Sequence, residues 1–146
     1  MPLPIRVNGL DHVVIRVSDV QRSLAFFENV LGLKLERIFA ELGVYQVRCG
    51  ANLIDLQTLK AGETLPPPDS RGIDHLCLSV DADADTLQRA LAAAAVPVVR
   101  GPVEVYGARG FGTSFYIADP DGYVIELKLG YCATPVRLVP GKPPEK

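Results

Sequence analysis

What the chain lacks narrows it first. Its 146 residues hold three cysteines, Cys49, Cys77 and Cys132, odd in number, far apart and without a C-x-x-C pair. That pattern supports neither a disulfide framework nor a zinc knuckle and fits a reducing compartment. No stretch approaches the roughly 18 apolar residues of a membrane span, and the opening Met-Pro-Leu-Pro-Ile-Arg has no apolar run of the kind a secretory signal carries. A cytoplasmic protein without a membrane partner is expected. Charge of one sign is also missing: 15 Lys and Arg face 17 Asp and Glu, a net charge of −2, and no basic patch invites nucleic acid. With 48% hydrophobic residues, the chain has the composition of a globular protein and the size of one domain.

What is present is a repeat. Gly9-Leu10-Asp11-His12-Val13-Val14-Ile15-Arg16-Val17 returns as Gly72-Ile73-Asp74-His75-Leu76-Cys77-Leu78-Ser79-Val80, with Gly, Asp, His and Val in register at an offset of 75 − 12 = 63 residues. An offset of that length points to a duplicated half-domain within one fold. Residues 8–60 form module one, 61–71 a linker with prolines at 66 to 68, 72–130 module two, and 131–146 a proline-rich tail expected to be poorly ordered.

Each repeat opens on alternating residues. Val13, Ile15 and Val17 share one strand face while His12, Val14 and Arg16 share the other; Leu76, Leu78 and Val80 oppose His75, Cys77 and Ser79. Ser18-Asp19-Val20-Gln21 resembles a capping box for a helix over about 19–31, with Leu24 and Phe27 on its apolar face and Gly32 as a stop. Strands follow at 33–39, 43–49 and 52–59, so the module reads βαβββ. In module two Asp83 caps a helix over about 84–95, ended by Pro97. A strand near 97–99, a glycine-rich loop over Arg100–Gly112, and strands at 113–118 and 123–129 around the turn Asp119-Pro120-Asp121-Gly122 complete the copy. The loop suggests a lid whose Arg109 meets an anionic substrate, and Tyr45, Tyr106, Phe115 and Tyr116 are candidates for an aromatic pocket or for core packing.

The closing strands match too. Leu53-Ile54-Asp55-Leu56-Gln57 mirrors Val124-Ile125-Glu126-Leu127-Lys128, and strand alternation turns Asp55 and Glu126 away from the faces their aliphatic neighbours pack. Each repeat thus carries a histidine on its first strand and an acid on its last. A lone histidine or acid on a strand is ordinarily a hydrogen-bonded or solvated residue; four such residues at matching points of two repeats argue for a shared task. Two imidazoles and two carboxylates suit one divalent ion of Zn, Ni, Mn, Fe or Co better than Ca or Mg, which prefer oxygen alone. His12, His75 and Glu126 would be two nitrogens and one carboxylate, leaving positions open for substrate.

The repeat and the ending F-Y-I-A-D-P-D-G-Y-V-I-E-L at 115–127 resemble the vicinal oxygen chelate superfamily, which includes glyoxalase I, extradiol dioxygenases, fosfomycin-resistance enzymes, methylmalonyl-CoA epimerase and bleomycin-binding proteins. The resemblance runs from about residue 8 to 130. It implies an α+β fold of two tandem βαβββ modules related by a pseudo-twofold, forming a curved mixed sheet around a cleft, and generally a homodimer, with modules exchanged or packed side by side. It implies that His12, His75 and Glu126 are metal ligands, with Asp55 in the fourth position, where glyoxalase I usually has Glu. Arg16 matches an arginine that holds the glutathione carboxylate in bacterial glyoxalase I, whereas Leu59 stands where that enzyme commonly has asparagine. In a glyoxalase-like isomerisation Glu126, with Asp55 as second candidate, is the acid/base; Arg16, Arg109 and Ser79 are substrate-facing, and glutathione is a candidate cosubstrate. The bare triad with Fe(II) would instead serve ring cleavage of a catechol, with Mn(II) nucleophile addition to an epoxide. A metal-free drug-binding protein of the bleomycin-resistance kind is the remaining alternative.

Overall fold

The computed structural model of the chain describes residues 5–130; the tail and Cys132 lie outside the described residues. In the first half the order is β1 (His12–Val17), α1 (Val20–Asn29), β2 (Lys34–Phe39), β3 (Val44–Cys49) and β4 (Asn52–Thr58). The four strands form one mixed sheet in the order β1-β4-β3-β2, with β1 parallel to β4 and the remaining pairs antiparallel. In the second half β5 (Leu76–Ser79), α2 (Ala84–Ala93), β6 (Arg100–Gly107), β7 (Gly110–Ala118) and β8 (Val124–Leu129) build a second mixed sheet in the order β5-β8-β7-β6. The identical strand order of the two sheets is the duplication expressed in three dimensions.

Alternation decides what each sheet buries. Ile15 and Val17 of β1, Ile54 and Leu56 of β4, and Leu24 and Phe27 of α1 form the first core, with Phe27 fully buried. Burying such a side chain is worth about 1.5–3 kcal/mol relative to leaving it in water. Leu87 and Leu91 of α2 with Phe115, Ile117, Ile125 and Leu127 form the second. Both helices begin on an aspartate in extended conformation: Asp19 accepts the Arg22 N–H and Asp83 accepts the Thr86 N–H. The cap of α1 is therefore Asp19 rather than Ser18, because the Ser18 backbone N–H and hydroxyl both bond to the Asp121 carboxylate. Gly32, at φ 67°, ends α1 as expected, whereas α2 stops at Ala93, four residues ahead of Pro97, closed by the left-handed Ala95 at φ 54° and the bond from the Val96 N–H to Leu91 O at 2.9 Å.

Two expectations for module two are corrected. The strand assigned near 97–99 begins at Arg100, and the stretch read as a flexible loop, Arg100–Gly112, is the hairpin of β6 and β7. Its glycines serve close approach: a Cβ on Gly112 would lie 2.4 Å from the Leu129 carbonyl, and one on Gly107 3.1 Å from the Lys128 side chain. Of the four aromatics, Tyr116 alone shares the Glu126 face. Phe115 pairs with Leu127 on the packed face, Tyr45 with Leu56, and Tyr106 packs edge-on against Phe111 across the hairpin at 5.0 Å.

The described residues divide into two compact units, one of residues 5–74 with Asp119–Tyr123, the other of His75–Ala118 with residues 124–130. The Asp119–Tyr123 turn, encoded in the second repeat, thus belongs to the first unit. Asp121 accepts from Ser18 and from Arg22 Nη2 at 3.1 Å, and Tyr123 Oη donates to Arg16 O at 2.8 Å.

Candidate functional site

Parallel pairing of β1 with β4 puts Val14 beside Asp55 and Arg16 beside Gln57, so His12, Asp55 and Arg16 share one face of the first sheet. His12 Nδ1 bonds Asp11 Oδ1 at 2.7 Å. That contact, opposed by some burial and reinforced by the charge of Asp55, raises the His12 pKa above 6.5. A carboxylate on one ring nitrogen is the usual companion of a histidine that ligates through the other. Asp55 is buried, 5% exposed, and Gln46 Nε2 donates to both of its oxygens at 3.1 Å.

In the second unit, parallel pairing of β5 with β8 sets Cys77 beside Glu126 and Ser79 beside Lys128. His75, just ahead of β5, brings Nε2 to 3.0 Å from Glu126 Oε2. Ser114 Oγ donates to Glu126 Oε1 at 2.5 Å. Burial alone would push the Glu126 carboxyl up; the hydrogen bonds from Ser114 and Cys77 and the charge of His75 outweigh it and hold the carboxyl below 4.5. Partial desolvation of this otherwise exposed side chain and the same carboxylate push the Cys77 thiol up to about 11, so at neutral pH it is not a thiolate nucleophile. Tyr116 lies edge-on to the His75 ring at 5.7 Å, with the Arg100 guanidinium over its own ring at 5.3 Å.

One pair of these donors has the spacing that the ion implied by the repeat would need. Ligands about 2.1 Å from one first-row ion and at right angles to each other are about 3 Å apart, the spacing of His75 Nε2 and Glu126 Oε2. The structure brings His75 and Glu126 into contact and places His12 and Asp55 on neighbouring strands. Among the described residues it gathers no three His, Cys, Asp or Glu side chains around a common point.

Two further groups hold cations. Arg109, in the turn between β6 and β7, donates from Nη2 to Ser79 Oγ, so both residues singled out from the sequence lie together. Arg16 approaches Glu63, Nη1 to Oε1 at 3.6 Å, and lines a cavity of ≈ 290 Å³ with Val14, Leu65, Pro66, Arg71 and Tyr123. Arg71 lies at the end of the proline-rich linker, where no sequence pattern marks it. Its guanidinium stacks on Tyr123 at 4.6 Å and donates to Pro66 O at 2.8 Å and Asp121 O at 2.5 Å. Ser114 and Gln46 were also missed. A hairpin centred on Asp121 does place Tyr116 opposite Glu126 and Ser114 opposite Lys128, so the register held a signal for Ser114.

A fold of paired βαβββ modules, each with a histidine and a buried acid on its polar face, defines a class, and comparison with known proteins names it. The model of the Glyoxalase/Bleomycin resistance protein/Dioxygenase superfamily matches residues 9–127, and the chain belongs to this superfamily, whose members often use a divalent metal ion. It is 29% identical over 137 residues to "Glutathione transferase FosA" of Serratia marcescens, covering 94% of this chain and 92% of that protein. Over 126 residues it is 34% identical to "Lactoylglutathione lyase" of Salmonella typhimurium, covering 80% and 88%. A solved integron cassette protein from the mobile metagenome of V. cholerae superposes with a TM-score of 0.71 at 31% identity, covering 86% of this chain and 97% of that one. No helix among the described residues is long and apolar enough to cross a membrane.

Proposed function

We propose that the protein is a divalent-metal-dependent lyase of the glyoxalase I kind, isomerising the hemithioacetal of glutathione and a small 2-oxoaldehyde to a thioester. The observation that carries this reading is the His75 Nε2 to Glu126 Oε2 approach of 3.0 Å, at positions repeated by His12 and Asp55. His12, His75, Glu126 and Asp55 would hold the ion, Zn, Ni, Mn, Fe or Co, in a cytoplasmic homodimer. When bound, the ion supplies Lewis-acid stabilisation of charge developing on two adjacent substrate oxygens. Glu126, with Asp55 as second candidate, takes the proton from the carbon bearing sulfur and returns it to the neighbouring carbonyl carbon. The first carbon is oxidised to the thioester level and the second reduced to an alcohol, so no external oxidant is needed.

Binding is assigned to Arg16, Arg109 and Ser79, with Arg71 added from the cavity. Glutathione carries two carboxylates, and arginine forks match carboxylates; both relatives quoted above have glutathione in their names. A second reading, transfer of glutathione to an electrophile such as an epoxide, is favoured by the engagement of both Asp55 oxygens with Gln46, which leaves two histidines and Glu126 as the ligand set.

The test is metal analysis followed by turnover. Protein expressed with metal supplements is expected to hold close to one divalent ion per chain and His75→Ala to lose it; an empty wild-type protein overturns both enzyme readings and leaves a drug-binding protein. Turnover of the methylglyoxal–glutathione hemithioacetal with Ni or Zn supports the lyase. Metal without that turnover, together with glutathione addition to an epoxide in Mn, supports the transferase, and catechol cleavage with Fe(II) would point to the dioxygenase.

A further inference from the structure

Lys128 is the most anomalous side chain in the second unit. It is fully buried, on the same face of β8 as Glu126 and two residues from it, where an ammonium is far more costly to desolvate than an amide. Its stem runs beside two glycines of the hairpin: a Cβ on Gly107 or Gly112 would meet Lys128 Cε at 3.1 or 3.3 Å. Its Nζ donates to the carbonyl of Val105 on β6. The side chain therefore crosses β7 and ties the central strand of the sheet to its outermost one.

The first unit contains a related tie. Gln57 stands two residues after Asp55, as Lys128 does after Glu126, and its Nε2 donates to Leu42 O at 2.7 Å in the connection between β2 and β3. In both copies the residue two beyond the acid fastens the last strand across the third, to the connection after the second strand in the first copy and to the second strand itself in the second. The second copy differs in what that segment carries: past Val105 the chain turns through Ala108 and Arg109, and Arg109 donates to Ser79 Oγ. Ser79 is the cross-strand partner of Lys128 on β5. Lys128 thus touches the hairpin just before its turn and stands beside the residue that receives the arginine of that turn.

We propose that Lys128 is a positioning residue that locks the β6–β7 hairpin so that Arg109 meets Ser79 and presents its guanidinium to an anionic group of the substrate, a carboxylate or similar oxyanion. The substrate step rests on the role given to Arg109 and Ser79 under the proposed function; the locking does not.

The experiment reads the two separately on the full, metal-supplemented chain. The Arg109 Nε–Hε resonance is followed by NMR in wild type, Lys128→Met and Gly107→Ala; the alanine pushes the lysine stem aside while leaving its charge, and it serves if the methionine variant does not fold. Calorimetry with glutathione as probe then compares Lys128→Met, Arg109→Ala and the double variant. The expected result is an Arg109 signal that moves to the position of a free arginine side chain, and a loss of affinity on the order of tenfold in each single variant. The double variant is expected to be no weaker than Arg109→Ala, since the two act through one contact. An Arg109 signal unchanged in both lysine-directed variants, or a double variant whose loss is the product of the single losses, overturns the proposal. A displaced signal with glutathione affinity intact in every variant supports the lock and overturns the substrate role of Arg109.

Discussion

Replacing Ser114 with alanine removes one hydroxyl from the best-defined contact of the site. Ser114 is fully buried and Glu126 is 3% exposed, and the hydroxyl donates to Oε1 at 2.5 Å. A hydrogen bond to a buried charged acceptor is worth about 1.5–3 kcal/mol, which for a chain of this size is about 3–12 °C in Tm. The loss is expected to depend on pH. A carboxyl held below its ordinary 4.5, as Glu126 is, adds stability that is present above that value and lost as pH falls through the folded-state pKa. Without Ser114 the folded-state pKa rises, so the gap between wild type and variant is full at neutral pH and narrows once both carboxyls are protonated. Thermal unfolding of both proteins with a chelator, near pH 7 and again well below 4.5, checks this. Equal losses at both pH values, or a neutral-pH loss below about 0.5 kcal/mol, would show that the hydroxyl only fills space. Metal affinity is expected to fall about 10–100-fold in the same variant, since Ser114 orients a ligating carboxylate.

Asp121→Ala is expected to lower stability by about 2–3 kcal/mol, because its nearly buried carboxylate accepts from the Ser18 backbone and from Arg22; Arg22→Ala, on the exposed side of the same pair, should lose under about 1 kcal/mol in the same unfolding assay. Alkylation of Cys77 by iodoacetamide should rise about tenfold per pH unit through pH 8–10, with no plateau below the thiol's value of about 11; mass spectrometry of the Cys77 peptide showing a plateau near pH 8.5 would contradict the partial desolvation and Glu126 contact that suppress ionisation.

Much of this was legible in the sequence because duplication supplied an internal control. One Asp-His pair is unremarkable, but Asp11-His12 and Asp74-His75 at matched positions, with Asp55 and Glu126 at matched ends, fixed both sheets and the faces of their polar residues. The hairpin over Arg100–Gly112 was not legible, because its glycines imitate the composition of a flexible loop. Their actual reason, room for Lys128 and for the Leu129 carbonyl, is tertiary. Ser18 was misread as a cap for a similar reason: local pattern assigns it to α1, and a residue 103 positions away claims it. Arg71 escaped notice because its role comes from the shape of a cavity that no periodicity announces.

That 103-residue contact also dictates an order of events. Closing a loop of that length carries an entropic cost of about 4 kcal/mol beyond the constant for contact itself, recovered only after the closing groups meet. On a ribosome, the N-terminal sheet can pair its strands early, yet Ser18 and Arg22 must wait for Asp121 to emerge, long after β4 is complete. The amino-terminal half is thus synthesised first but cannot be finished until most of the second half has followed it, and a nascent chain stalled before residue 121 should present a sheet whose helix entry is still protease-sensitive.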